Sequence, residues 1–162
     1  MTPPDNRTSA DLLVQEREGF VARFTAEDAW ALGTLMRQAA VAARLPVAIE
    51  VTIAREPVFF TRLAMASEDN RHWAERKRRV VERFHHSSLY MRLLTQEEGY
   101  EFHHRYGLSP DLFAAFGGSV PIFQTDGNLI GTATISGLPD VDDHDFVVKH
   151  LRLLSPPTSE RP

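Results

Sequence analysis

Cysteine is absent from the 162-residue chain. That excludes disulfides, thiolate zinc sites, iron–sulfur clusters and cysteine nucleophiles, and it suits a reducing compartment. No apolar run approaches the ~20 residues of a membrane span. The opening residues, Met1 to Asn6, carry Pro and Asp where a secretory leader has a basic patch and an apolar stretch. A cytoplasmic protein is therefore expected. Positive charge is not in excess: 18 Lys and Arg against 22 Asp and Glu give a net charge of −4. Nucleic acids and anionic membrane surfaces demand the opposite balance, so neither is expected as a partner. Also missing are Gly-x-Gly-x-x-Gly, a Gly-Lys-Ser/Thr element and Gly-x-Ser-x-Gly, which removes Rossmann, P-loop and serine-hydrolase readings.

What is present is ordinary for a globular chain: 43% hydrophobic and 25% charged residues. The length fits one domain, placed at 8–154, with polar, Pro-rich and flexible tails expected at 1–7 and 155–162. Ser9–Arg17 reads as a short helix and Gly19–Phe24 as an extended piece. Thr25-Ala-Glu-Asp28 is a capping box opening a helix to about Arg44, and Pro46 stops it. Val47, Ile49, Val51 and Ile53 alternate with Ala48, Glu50, Thr52 and Ala54, the pattern of a half-buried strand. Arg55-Glu56-Pro57 reads as a turn before a second strand over Val58–Met65. Helices are expected over Asn70–His86, after Ser87-Ser88 to about Glu98, and as shorter pieces at Tyr100–Tyr106 and Pro110–Phe116. Asp126-Gly127 joins strands Ser119–Thr125 and Leu129–Ser136 in a hairpin, and Asp140–Leu154 closes the domain as a helix. Two hairpins separated by helices predict an α+β fold, with an antiparallel sheet of four to five strands against helices.

The chemistry-bearing residues cluster on a few segments. At about 100° per residue, Trp73, Val80, Val81 and Phe84 share one arc of the 70–86 helix, and Lys77 falls inside it. Arg71, Glu75, Arg78 and Glu82 lie opposite, at spacings that let them pair, while Arg76, Arg79 and Arg83 line one flank. Lys77 has two readings: an ammonium snorkelling to an edge, or one reaching a pocket that holds an anion. The Arg stripe is a solvated face, a subunit contact or a carboxylate clamp. Gly117-Gly118 is a helix terminator with a tight turn, or a place where a flat ligand meets bare backbone. Asp140, Asp142, Asp143, His144 and Asp145 suit a helix N-terminus, while His144 beside carboxylates also suits proton transfer. Glu101-x-x-His104 has di-metal spacing without the second motif such sites require, so no metal site is assigned. His103, His104 and Tyr106 could serve as axial haem ligands or as plain surface residues.

Four motifs occur in order: Asp69-Asn70-x-x-Trp73-x-x-Arg76-Lys77-x-x-Val80-Val81-x-Arg83-Phe84-x-x-Ser87-Ser88; Gly117-Gly118-Ser119-x-Pro121-Ile122; Gly127-x-x-x-Gly131-Thr132-x-Thr134-x-Ser136-Gly137-Leu138-Pro139; and Asp143-His144-x-x-Val147. Together, over about residues 12 to 151, they resemble the haem-degrading-domain superfamily of HbpS/GlcG-like proteins, in its uncharacterised cytosolic branch. The resemblance implies a profilin-like antiparallel sheet flanked by helices and a symmetric homo-oligomer. Some relatives bind or degrade haem, so haem is the cofactor implied. A shared pocket is expected from Trp73, Arg76, Lys77, Arg83, Ser87, Gly117, Gly118 and Pro121, with Asp143 and His144 as candidate catalytic residues. The chain departs from the family pattern at Phe116, where a His is expected, at Val120, where an aromatic is expected, and at 64–67, which lacks the usual Gly. A His ligand used by relatives at 116 would thus be missing here.

Three functions follow, in this order. The first is a small-molecule-binding protein, with haem or another tetrapyrrole as the implied ligand. The second is an oligomeric scaffold without chemistry, with Phe59, Phe60 or Phe113 as subunit contacts. The third is an enzyme on a small anionic metabolite, gripped by Lys77 and Arg76 while His144 and Asp143 move a proton.

Overall fold

The computed structural model describes residues 5–154. The chain runs α1 (Ser9–Glu18), α2 (Ala26–Ala42), β1 (Ala48–Ile53), β2 (Glu56–Arg62), α3 (Glu68–Phe84), α4 (Ser88–Glu98), α5 (Phe102–Tyr106), β3 (Ser119–Phe123), β4 (Leu129–Ser136) and α6 (Asp140–Leu154). The four strands form one antiparallel sheet in the order β2-β1-β4-β3, the α+β architecture expected. The extended piece before α2 adds a single parallel bridge, Val21 to Gln124, at the β3 edge.

Local chemistry explains the element ends. Thr25 accepts from the Asp28 N–H while the Asp28 carboxylate takes the Thr25 N–H, and Thr8 and Asp11 repeat the same reciprocal pair at α1. The first hairpin turns one residue earlier than expected. Ala54 and Arg55 both adopt positive φ, 50° and 69°, the two-residue turn that matches strand twist. Glu56 and Pro57 are therefore strand residues, and Pro57 is tolerated because β2 is an edge. Pro110–Phe116 is not helical. One turn forms as Leu112 and Phe113 donate to the Ser109 carbonyl, and then the Ala114 N–H goes to the Arg76 carbonyl of α3, which pins the segment as an irregular strap.

The two sheet faces differ in kind. On one, Ile49, Val51, Val120, Ile122, Ala133 and Ile135 pack against Ala29, Leu32 and Met36 of α2 and Val147 of α6, and this is the main apolar core. The other face carries Glu50, Thr52, Ser119, Thr132, Thr134 and Ser136, all buried, because α3 lies across β1, β3 and β4. The β1 strand is thus buried on both faces, where alternation had predicted half-burial. The polar groups of this face meet one another. Thr52 and Thr132 hydroxyls meet at 2.7 Å, as do Ser119 and Thr134, and Arg78 Nε lies 2.7 Å from Glu50 Oε1. That last contact is off the N–H axis, so it is an ion pair without a directed hydrogen bond. Burial pushes the Glu50 carboxyl up, with Arg78 opposing.

This arrangement corrects the helix-face assignment. Arg71–Glu75 and Arg78–Glu82 do pair at four-residue spacing, but Arg78 is turned onto the sheet instead of outward. Phe59, expected as an exposed subunit contact, is 6% exposed and packs edge-on beneath Trp30 at 5.3 Å. Phe60 is exposed. Phe113 is half-buried against a second small core of Val80, Met91, Phe102 and Ala115. Residues 1–4 and 155–162 of the expected tails lie outside the described residues. Arg7, also expected in a tail, binds Asp5 and reaches Asp145 of α6 at 2.6 Å.

Candidate functional site

A cleft of about 320 Å³ opens between α3, Arg92 of α4, Phe116 and the segment that runs from the end of β4 into α6. Its floor is Lys77, 4% exposed, with its Nζ 2.8 Å from Asp143 Oδ2. Both proposed behaviours of Lys77 are thus answered at once: it points inward, and the anion it holds is the chain's own. Asp143 is fully buried. Its Oδ2 also accepts from the Gly137 N–H at 3.3 Å and its Oδ1 from the Leu138 N–H at 3.0 Å. Burial nonetheless outweighs these stabilising contacts and pushes Asp143 up to about 6.

The double glycine is what lets the floor close. Gly118 has φ of 132°, and a Cβ there would sit 2.5 Å from the Ile135 carbonyl oxygen and 2.8 Å from Lys77 Nζ. At Gly117 a Cβ would sit 2.1 Å from the Asp140 carbonyl oxygen. The pair makes a tight turn but terminates no helix, since 110–116 is irregular, and neither glycine is among the residues lining the cleft.

The walls are aromatic and cationic. Trp73 and Phe116 meet edge-on at 5.6 Å. Arg92 lies over Phe116 at 5.0 Å, while Arg76, expected in the pocket, is not among the lining residues and stacks on Trp73 at 4.4 Å. Arg92 is ion-paired with Asp140, whose carboxylate also accepts from the Gly117 N–H at 3.4 Å. Asn70, Ser136, Gly137 and Leu138 complete the lining. Arg76 Nε is buried without a partner among the described residues. Phe116, the residue standing where a His was expected, is thus a wall of the cleft. Sequence reasoning missed Arg92 and Asp140 as a pair, since no spacing links positions 48 residues apart.

Other candidates lie elsewhere. Arg83 is exposed over Phe84 at 5.5 Å, outside the cleft lining. Ser87 caps α4 by accepting from the Tyr90 N–H, and its own N–H donates to Glu16 Oε1. Pro121 and His144 line a different cavity, against α1. Asp143 and His144 do not act as a unit, because consecutive helical residues point about 100° apart. The ring of His144 is buried, its Nε2 is 2.7 Å from Gln15 Oε1, and burial pushes its pKa down to about 4. Glu101 caps α5 through the His104 N–H. His103 bonds Glu101 and the Phe113 carbonyl, and Tyr106 bonds Tyr100.

The cleft provides flat faces, guanidinium donors and a neutralised ionic floor. It does not provide an axial ligand for haem iron: no His, Met, Tyr or Cys is among its lining residues. Its volume lies at the small end of the ~300–1,000 Å³ typical of ligand sites.

Fold and cleft define an α+β domain with one oily and one hydrogen-bonded sheet face, and a site at the sheet's end. The family model described as haem degrading protein HbpS-like matches residues 24–152, and the chain belongs to that HbpS-like family. A UPF0303 protein of Streptomyces coelicolor is 41% identical over 150 residues, covering 93% of this chain and 95% of the relative. A UPF0303 protein of Burkholderia thailandensis is 39% identical over 140 residues, covering 86% and 85%. Among solved structures, the Ybr137w protein superposes with a TM-score of 0.83 at 28% identity, covering 90% of this chain and 88% of that one. A PduOC:heme complex superposes at 0.68 with 20% identity, covering 83% and 95%, a likeness of fold. No described helix is long and apolar enough to cross a membrane.

Proposed function

We propose that the protein binds a small, flat, anionic molecule in the cleft between α3 and α6. The observation that carries this reading is the meeting of two aromatic rings, Trp73 and Phe116, with the Arg92 guanidinium in one lining, above a floor that is already charge-neutral. A planar ring stacks on the former while its carboxylates meet the latter. Haem and other tetrapyrroles are the candidates to which the family and the haem-bound PduOC neighbour point. Because the lining holds no iron ligand, such a molecule is gripped here through its carboxylates and ring edge.

The test is a parallel titration with haemin and iron-free protoporphyrin. Saturable spectral shifts near one equivalent per subunit are expected for both, weakened about tenfold in Arg92→Ala, the fold-change of ~1.4 kcal/mol. Featureless, non-saturating spectra for both would end the reading. Tight haemin binding without protoporphyrin binding would place the ligand on an iron-coordinating site other than this cleft.

A second reading, an oligomeric scaffold, is favoured by the surface around the unpaired edge strand β2. Phe60 is 44% exposed on the α3 side of this edge, and Trp30 57% and Met65 74% on its α2 side, exposed apolar side chains of the kind that mark contacts. Under either reading the protein is a homo-oligomer. Sedimentation showing only monomer at micromolar concentration would refute that.

A further inference from the structure

A groove of about 270 Å³ runs between the C-terminal end of α2 and the end of β2. Helix α2 covers the opposite face of the sheet from α3. No lining residue is shared with the cleft on α3, so the inference stands apart from the function proposed above. Val41, Leu45, Leu63 and Met65 give the groove its apolar lining, with Val41 and Met65 left exposed, and Arg37, Arg44 and Arg62 are set around them.

The three cations are unanswered. Arg37, Ala40, Val41 and Arg44 follow the i, i+3, i+4, i+7 spacing of one helix face. Two guanidinium groups thus flank an apolar step, with their backbones about 10 Å apart along the axis. Arg62, the last residue of β2, adds a third. None of the three comes within ion-pair distance of a carboxylate among the described residues, although acidic residues outnumber basic ones in the chain, 22 to 18. A helix C-terminus favours one nearby cation, which accounts for Arg44 alone. Like charges around one hollow repel, and an anion placed among them relieves this.

The backbone supplies a second observation. Arg44 closes α2 with a φ of 55°, the left-handed conformation usually given to glycine at this place, and the Leu45 N–H returns to the Ala40 carbonyl at 2.9 Å. A side chain held there strains the backbone where glycine does not, and such strain gathers where the side chain is used. We propose that this groove binds a single-chain aliphatic carboxylate. Its tail lies on Val41, Leu45, Leu63 and Met65, and its head sits among guanidinium groups whose paired donors match carboxylate oxygens. A cavity of ~150 Å³ holds benzene, so this groove has room for the chain of octanoate.

Calorimetric titration of the full chain with octanoate tests this, against 1-octanol, which keeps the tail, and acetate, which keeps the head. Saturable binding near one equivalent is expected for octanoate, binding at least ~10-fold weaker for octanol, and none for acetate in the millimolar range. Arg44→Gly is the decisive variant. It raises Tm by ~2–4 °C by relieving the turn, yet weakens octanoate binding about fivefold, a divergence that a purely structural Arg44 does not produce. Arg62→Gln weakens octanoate by a similar factor and leaves the haemin response unchanged. The proposal is overturned if octanoate gives no saturable heat, if octanol matches it, or if Arg44→Gly binds as tightly as the parent. Met65 also belongs to the surface offered above as a subunit contact. A sedimentation coefficient that falls in Val41→Glu, with no heat from octanoate, would mean that a second copy covers the groove, and it overturns the proposal too.

Discussion

Lys77→Met removes a charge from the floor of the cleft while keeping an unbranched chain of similar bulk. It leaves Asp143, fully buried, without its cation. Breaking a buried ion pair from one side costs about 3–5 kcal/mol, and a domain of this length has ~5–15 kcal/mol in total. The expected fall in Tm is ~6–20 °C. The sign of the pH dependence follows from Asp143. Its folded pKa, about 6, lies above its ordinary 3.8, so the folded state holds the proton more tightly than the unfolded one. That contribution is complete below 3.8 and is lost as pH rises through 6. Without Lys77 the folded value climbs further, and the loss extends to higher pH. The variant's deficit is therefore smaller at pH 5 than at pH 8. Adding Asp143→Asn removes the stranded charge while keeping an acceptor for the Leu138 N–H, and it restores more than half of the deficit at pH 8. Urea unfolding followed by circular dichroism at both pH values measures all of this. Parent-like stability of Lys77→Met at pH 8, or a double variant weaker than the single, would refute the reasoning.

Gly118→Ala meets the Ile135 carbonyl oxygen at 2.5 Å with φ at 132°; a loss of at least ~2 kcal/mol is expected by urea titration. Thr134→Val strands the Ser119 hydroxyl, now 2.7 Å from its partner, at a cost of ~1–2 kcal/mol, whereas adding Ser119→Ala costs less than the sum of the two single changes in a double-mutant cycle. Thr25→Ala removes the α2 cap and lowers stability by ~1 kcal/mol, read as a Tm drop of ~2–4 °C by calorimetry.

Element order was legible because the punctuation is local. Thr25 with Asp28, Pro46, Asp126-Gly127 and Gly137-Leu138-Pro139 each act within a few residues, and α2, β4 and α6 fall where they indicate. The second buried face was not legible. Glu50, Thr52, Thr132 and Thr134 are the letters of a solvated strand face, and only the arrival of α3 makes them interior. For the same reason Arg78 read as outward-facing. The inward course of Lys77 was visible from its arc, but its partner was not, because Asp143 lies 66 residues away. Treating Asp143 and His144 as one proton-moving unit was avoidable: helical neighbours one residue apart diverge. The cleft's Arg92–Asp140 pair depends wholly on tertiary placement.

The Arg78–Glu50 contact acts as a vernier for α3. Sliding the helix by one turn, about 5.4 Å, would bring Ala74 or Glu82 opposite Glu50, replacing attraction with an empty socket or with two like charges. An oily interface would forgive such slippage; this one penalises it at every notch. Lys77, one residue away on the same rod, is thereby indexed to Gly118, and the depth of the cleft is calibrated from a contact outside its lining.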